Sequence, residues 1–125
     1  MKKIVLFLIV VVSAISSCKP QNEGIVDITV QDLQMVLNND KNVQLIDVRT
    51  PSEWAEGIID NAIKINVTAD GFEKLALEKL DKSKPVYIYC RSGGRSKIAA
   101  DVLLKNGFQP YNVLGGYMAW EEKNK

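Results

Sequence analysis

The chain has 125 residues, of which 46% are hydrophobic and 25% charged, and its formal charge at pH 7 is +1. This length suits one compact domain, and so small a charge provides no overall field to attract nucleic acid or an anionic membrane. The chain contains no histidine and only two cysteines. Catalytic triads with an imidazole base, histidine-ligated metals and structural zinc clusters are therefore excluded. We expect no metal, no cofactor and no nucleic-acid partner.

Residues 1–17 have the layout of an export signal. In MKKIVLFLIVVVSAISSC, a basic start, an apolar run and a group of small residues precede Cys18. The apolar run is shorter than the roughly 20 residues of a membrane-spanning helix and fits the hydrophobic region of a secretory signal. The end of this segment, ISSC, also resembles a bacterial lipobox, in which the cysteine becomes the acylated first residue of the mature protein.

This segment leads to a prediction of localisation. We expect an exported protein of the periplasm or cell envelope, anchored to the membrane by lipid on Cys18. The alternative is ordinary signal cleavage slightly upstream, which would leave Cys18 as an incidental thiol. Residues 18–24 are polar and contain proline and glycine, as is typical of a tether, and residues 25–125 are predicted to form the folded domain.

The first half of the predicted domain alternates short strands with helices. IVDI is a strand, and Thr29 followed by Asp32 forms a capping box that starts a helix. VQLIDV is the second strand. Thr50, Pro51 and Glu53 then repeat the pattern of a helix start, and we assign Glu53 no role beyond this cap. AIKIN is the third strand.

The second half continues this alternation. A helix is predicted from about Gly71 to Leu80, and VYIY then forms a continuous apolar strand of the kind found at the centre of a parallel sheet. The helix after Cys90 ends at Gly107 as a left-handed cap. Its predicted apolar face consists of Ile98, Ala99, Val102 and Leu103. YNV is the last strand and GGYMAWEEK a terminal helix. The pattern predicts an α/β fold: a central, mostly parallel, five-stranded sheet with helices on both faces.

The segment CRSGGRS follows the predicted central strand. Ligands of parallel α/β sheets bind at the carboxyl ends of the strands, where Cys90 lies. Residues 92–94 can turn successive N–H groups inward to form an anion-binding nest, and the following helix directs its dipole to the same point. Together with Arg91 and Arg95, these groups would lower the thiol pKa. The alternative is a small buried hydrophobic residue, a role that requires neither the glycines nor the arginines.

CRSGGRS resembles the active-site loop of the rhodanese family of single-domain sulfurtransferases. LIDVRTPSEWAEGIIDNAIKIN resembles the first signature of that family, and NVLGGYMAW its C-terminal motif; the likeness runs from about Ile25 to Lys123. Two departures stand out, Ile58 in place of a histidine and Asp60-Asn61 in place of Pro-Gly. We expect both to lie in a connection away from the substrate.

The resemblance implies a rhodanese-like fold and a two-step sulfur transfer. Cys90 would take the sulfane sulfur of a small anionic donor such as thiosulfate, and a thiol or a protein acceptor would then receive it from the Cys90 persulfide. We assign substrate binding to the loop and to one residue of the neighbouring strand end: Arg91, Ser92, Gly93, Gly94, Arg95, Ser96 and Arg49. For Arg49 a bracing role remains the alternative, and Asp47 is interpreted as a member of an internal ion pair.

Two other functions remain open. One is a sulfur carrier or anion-binding module that does not turn over. The other is a cysteine-dependent phosphatase, but such enzymes carry Cys-x5-Arg, whereas Cys90 and Arg95 form the shorter Cys-x4-Arg. The shorter loop suits a single sulfur atom, and the phosphatase route also requires a proton donor for the leaving group.

Overall fold

A computed structural model of the protein describes residues 24–125. The predicted export signal and Cys18 lie outside the described residues. The strands are β1 (Val26–Ile28), β2 (Leu45–Asp47), β3 (Ile63–Lys64), β4 (Val86–Tyr89) and β5 (Pro110–Val113). The helices are α1 (Val30–Asn39), α2 (Pro51–Trp54), α3 (Phe72–Lys79), α4 (Gly94–Lys105) and α5 (Gly116–Lys123). None of the helices in this range is long and apolar enough to cross a membrane.

The five strands form one sheet in the order β1-β5-β4-β2-β3, and every pairing is parallel. β4 lies at the centre, between β2 and β5, as its continuous apolar sequence predicted. The prediction of a five-stranded, mainly parallel α/β sheet is therefore confirmed. Because all the carboxyl ends meet at one edge, Asp47 at the end of β2 pairs in register with Tyr89 at the end of β4.

Helices cover both faces of this sheet. One apolar cluster joins the strands to α3 and α4, and the other joins them to α1 and α5. Side chains alternate along β4, so that Ile88 and Cys90 belong to the first cluster and Tyr89 to the second. Cys90 therefore ends the strand on the face covered by α4.

Local sequence accounts for most of the element boundaries. At the start of α1, the Asp32 N–H donates to Thr29 Oγ1 at 3.0 Å and the Thr29 N–H donates to Asp32 Oδ2 at 3.1 Å, which confirms the capping box. Gly107 follows α4 at φ +90°, as predicted. The apolar face assigned to α4 was wrong at Ile98, which is 59% exposed. Two other residues of the predicted face are buried as expected, Ala99 and Leu103. Ser96 and Ala100 are buried beside them, so the helix packs on the sheet mainly through small side chains.

Candidate active site

Cys90 lies in the turn that joins the central strand to α4. Its side chain is 1% exposed. Gly93 caps α4 at φ +128°, a left-handed backbone conformation that favours glycine, and this conformation directs the Gly93 N–H to Cys90 Sγ at 3.0 Å. The predicted nest thus closes on the sulfur atom, and the glycine is required for its shape.

Ser96, in the first turn of α4, provides the second polar contact to Cys90. Its fully buried Oγ lies 3.5 Å from Cys90 Sγ. Burial raises the pKa of the Cys90 thiol, but hydrogen bonding with the Ser96 side chain and with the N–H groups of Ser96, Gly93 and Ser92 outweighs it, so the net pKa is lowered. This arrangement favours a thiolate nucleophile without any histidine.

The start of α5 holds the other side of the Cys90 turn. The Tyr117 N–H donates to the Cys90 carbonyl at 2.8 Å, and the Met118 N–H donates to the Arg91 carbonyl at 3.0 Å. Gly116 has a φ of +52°, and a Cβ at this position would overlap the Cys90 carbonyl oxygen. The sequence suggests only a tight turn at Gly115-Gly116. In the structure, the absence of a side chain at Gly116 also lets the N-terminus of α5 contact the backbone of the cysteine loop.

Arg95 is bound by a residue to which the sequence assigned only a capping role. Its Nη1 and Nη2 contact Glu53 Oε1 and Oε2 at 2.7 and 2.9 Å. These bonds lower the pKa of Glu53 to about 2. The interpretation of Glu53 as a capping residue was therefore incomplete: Oε1 does accept the Thr50 N–H, at 3.1 Å, but the carboxylate also joins α2 to the cysteine loop.

Arg91 is exposed and makes none of the ion pairs found within residues 24–125. Its side chain lines a cleft of about 250 Å³ beside the loop. The other lining residues come from the segment after β2, from α2 and the turn that follows it, and from α5: Arg49, Glu53, Glu56, Tyr117, Met118 and Glu121. Of the two loop arginines, Arg91 is thus the one whose guanidinium remains available to an anion.

Arg49 is 2% exposed and forms a buried ion pair with Asp47. Its Nη2 lies 2.7 Å from Asp47 Oδ2 and 2.6 Å from the Gly57 carbonyl oxygen, and its guanidinium carbon lies 4.2 Å from the centre of the Tyr117 ring. The internal pair expected for Asp47 is present. For Arg49 the contacts favour the bracing alternative, because Nε and Nη2 are bound to Asp47 and Gly57 and the guanidinium lies against the Tyr117 ring.

The predicted site residues thus fall into three groups. Ser92, Gly93, Gly94 and Ser96 surround the sulfur or form the turn around it. Arg91 faces the cleft, while Arg95 and Arg49 are bound by carboxylates. The connection that carries Ile58 and Asp60 is closer to the cleft than expected, since Gly57 contacts both Arg49 and Tyr117. Among the described residues there is no cluster of acidic or cysteine side chains that could hold a metal ion.

Comparison with known proteins agrees with this geometry. The model of the rhodanese-like domain family matches residues 29–123. The chain therefore belongs to the rhodanese-like domain family. It is 38% identical to a rhodanese-like domain protein from Staphylococcus aureus whose crystal structure superposes with a TM-score of 0.70, over 76% of this chain and 90% of that one.

Sulfurtransferases occur among its relatives. YtwF of Bacillus subtilis, named provisionally as a sulfurtransferase, is 42% identical over 99 residues, which cover 79% of this chain and 93% of that protein. The thiosulfate sulfurtransferase GlpE of Shewanella oneidensis is 34% identical over 87 residues, covering 67% of this chain and 81% of that one. The rhodanese-like family predicted from the sequence is confirmed, and its relatives include proteins named as sulfurtransferases.

Proposed function

We propose that this protein is a sulfurtransferase that moves a sulfane sulfur from thiosulfate, or a similar small anionic donor, to a thiol acceptor through a persulfide on Cys90. The observation that carries the proposal is the Gly93 N–H placed 3.0 Å from Cys90 Sγ in a turn whose other N–H groups also lower the thiol pKa. An inward-facing row of N–H groups stabilises a charged sulfur, whether it is the thiolate or the terminal sulfur of a persulfide.

The first step is an attack by the Cys90 thiolate on the outer sulfur of thiosulfate. A bond forms between Cys90 Sγ and that sulfur. The sulfur–sulfur bond of thiosulfate breaks, and sulfite leaves with its electron pair. Charge is conserved, because one thiolate and one dianion become one persulfide anion and one sulfite dianion. The loop N–H groups that surround Cys90 Sγ would also stabilise the negative charge on the terminal sulfur of the persulfide.

The second step passes the sulfur to an acceptor thiolate. The acceptor attacks the terminal sulfur, the sulfur–sulfur bond of the persulfide breaks, and the Cys90 thiolate is regenerated. Cys90 is the one cysteine of residues 24–125. An acylated Cys18 would offer no thiol, so the acceptor would have to be a separate molecule, either a small thiol or a cysteine of another protein.

Sulfite release tests the proposal directly. Purified protein supplied with thiosulfate and an excess of a small thiol is expected to release many equivalents of sulfite, and Cys90→Ser none. After thiosulfate alone, intact mass spectrometry should show an added mass of one sulfur atom on the native protein. If fully reduced protein gains no sulfur and releases no sulfite, the transfer mechanism is wrong.

A carrier that does not turn over is the second candidate, and one observation favours it. Two of the three arginines expected to bind the donor, Arg49 and Arg95, are already bound to carboxylates. Donor capture would then rely mainly on Arg91, and it would be slow. One equivalent of persulfide without further sulfite release, across several thiol acceptors, would support the carrier. Repeated turnover with any of them would exclude it.

We also propose that the domain works outside the cytoplasm, tethered by lipid on Cys18. The support is the sequence of residues 1–18, with its basic start, short apolar run and lipobox-like end. Two or more acyl chains would give stable anchorage. Mass spectrometry of the mature N-terminus should find a diacylated Cys18, and Cys18→Ser should move the protein from the membrane fraction to the soluble one. A mature chain that begins upstream of an unmodified Cys18 would refute the tether.

A further inference from the structure

A line of polar groups leads from Cys90 through α4 and β5 to β1. Ser96 Oγ lies 3.5 Å from Cys90 Sγ and 2.6 Å from Asn112 Oδ1. The Asn112 Nδ2 in turn lies 3.2 Å from Asp27 Oδ1. Ser96 is fully buried and Asn112 is 2% exposed, whereas Asp27 lies on the exposed edge strand. The sulfur-transfer mechanism described above makes no use of Asn112 or Asp27.

The chemistry of the three partners determines the direction of these hydrogen bonds. An ionised carboxylate only accepts, so Asp27 holds the Asn112 amide with its Nδ2 outward and its Oδ1 toward Ser96. Asn112 Oδ1 carries no proton. Ser96 Oγ and Asn112 Oδ1 lie 2.6 Å apart, which is a hydrogen-bond distance, so the Ser96 hydroxyl must donate its proton to Asn112. A charged group at the end of such a chain strengthens each bond in it.

The serine hydroxyl has a single proton, and three groups can accept it. Besides Asn112 Oδ1, these are the Gly93 carbonyl at 3.1 Å and the Cys90 sulfur. While the proton points to Asn112, Ser96 Oγ can only accept a hydrogen bond from the neutral Cys90 thiol. To stabilise the thiolate, the hydroxyl has to turn away from Asn112 toward the sulfur.

We propose that Asn112 is a positioning residue: held by Asp27, it competes with the Cys90 thiolate for the proton of Ser96 and so favours the neutral thiol. Without this competition, Ser96 would donate to the sulfur, since a charged acceptor binds a hydroxyl more strongly than the neutral Gly93 carbonyl does. The inference rests on the proposed function of Cys90 as the reacting thiol, and it identifies what sets the balance between the two forms of that thiol.

The pH profile of alkylation tests this competition. Full-length protein is treated with iodoacetamide across a pH series, and the adduct on the Cys90 peptide is quantified by mass spectrometry, which separates it from any adduct on Cys18. The midpoint of the profile is compared rather than one rate, because a thiolate of lower pKa is also a weaker nucleophile. Asn112→Leu removes the competing acceptor at similar volume. It should lower the midpoint by at least about half a pH unit, which is about threefold more thiolate below the midpoint.

Asp27→Asn provides an independent test at an exposed position, where it is not expected to disturb folding. A neutral residue 27 lets the Asn112 amide turn, so that its Nδ2 donates to Ser96 and releases the hydroxyl proton to the sulfur. The midpoint should again fall. Asp101→Asn, which removes another exposed carboxylate, on α4, is the matched control and should leave the midpoint unchanged. If Asn112→Leu does not fold, Asp27→Asn alone decides the outcome.

Ser96→Ala separates this competition from a general electrostatic or structural effect. In that background neither Asn112→Leu nor Asp27→Asn should move the midpoint, because no hydroxyl proton remains to be redirected. The other charged groups around the sulfur are the same in every variant: Arg91 in the loop, Arg95 on α4 with Glu53 on α2, and the Asp47–Arg49 pair at the end of β2.

Two results would overturn the inference: an unchanged midpoint in both single variants, or a shift that persists without the Ser96 hydroxyl. Alkylation requires neither a sulfur donor nor an acceptor. A failure here is therefore distinguishable from a failure of the proposed sulfur transfer, which is measured by sulfite release.

Discussion

Glu53 and Arg95 form a two-pronged ion pair that joins the short helix α2 to the first turn of the helix that follows Cys90. The two N–O distances are 2.7 and 2.9 Å, and the side chains are 22% and 28% exposed. This geometry is stronger than that of a typical surface pair, because both oxygens and both terminal nitrogens are engaged. The pair determines both how firmly the loop is held and how much positive charge Arg95 presents to the cleft.

Glu53→Gln should destabilise the protein in a pH-dependent manner. The folded-state pKa of Glu53 is about 2, below its ordinary value of 4.5. The carboxylate therefore contributes stability above about pH 5, and this contribution is lost as the pH falls from about 4.5 to 2. The Glu53 carboxylate contributes at most about 3 kcal/mol to the free energy of unfolding. Urea unfolding of the native protein and of Glu53→Gln at several pH values should show a difference in the free energy of unfolding that disappears in acid. Glu56→Gln, on the same helix–loop segment, is the control, and an equal gap at pH 7 and pH 3 would contradict the prediction.

Arg91→Gln should weaken the binding of an anionic donor with little effect on stability. Arg91 is exposed and lines the cleft, so removal of its partly screened charge should raise the KM for thiosulfate by about threefold, equivalent to roughly 0.7 kcal/mol. Glu53→Gln should have the opposite effect, since it releases the charge of Arg95. Lys105→Gln, at the far end of α4, removes the same charge without approaching the loop. Equal KM values for Arg91→Gln and Lys105→Gln would show that Arg91 does not contact the donor.

Arg49→Met should destabilise the fold strongly, because it leaves the buried Asp47 carboxylate without its partner. Removing one member of a buried ion pair costs about 3–5 kcal/mol. Adding Asp47→Asn should recover part of this loss, since the second substitution removes the unpaired charge. Denaturant unfolding of the two single variants and the double variant measures the coupling. A change below about 0.5 kcal/mol in Arg49→Met would instead assign Arg49 to substrate binding rather than bracing.

Gly116→Ala should disturb the cysteine loop, and Gly71→Ala should not. Both glycines have a positive φ, +52° at Gly116 and +84° at Gly71, but a Cβ meets nothing within 4 Å at Gly71. At Gly116 it would overlap the Cys90 carbonyl and lie 2.8 Å from the Arg91 carbonyl. We expect Gly71→Ala to lower the free energy of unfolding by about 1 kcal/mol, from backbone conformation alone. Gly116→Ala should lower the free energy of unfolding by at least about 2 kcal/mol and should also change the rate of Cys90 alkylation. Similar losses and unchanged alkylation in both would argue against the close approach.

Local sequence determined the elements of this protein and the chemistry of its central turn. Alternating strands and helices predicted the parallel sheet, because a continuous apolar strand is stable only with both faces covered. The residues after Cys90 predicted a nest of N–H groups, because glycine at a strand-to-helix turn permits the left-handed backbone that Gly93 adopts.

The tertiary structure decided which partner each polar side chain meets. Glu53 and Arg95 are 42 residues apart, and Ser96 and Asn112 are 16 apart. No periodic pattern in the sequence predicts either contact, because each depends on how α2, α4 and β5 are placed at one edge of the sheet. Arg49 could be assigned either role from sequence, since a strand-end arginine can face solvent or a buried carboxylate equally well. The sequence by itself therefore predicted a cysteine in a turn lined by N–H groups, whereas folding determined which arginine lines the cleft, which one is held by Glu53, and which residue lies within hydrogen-bond distance of the Ser96 hydroxyl.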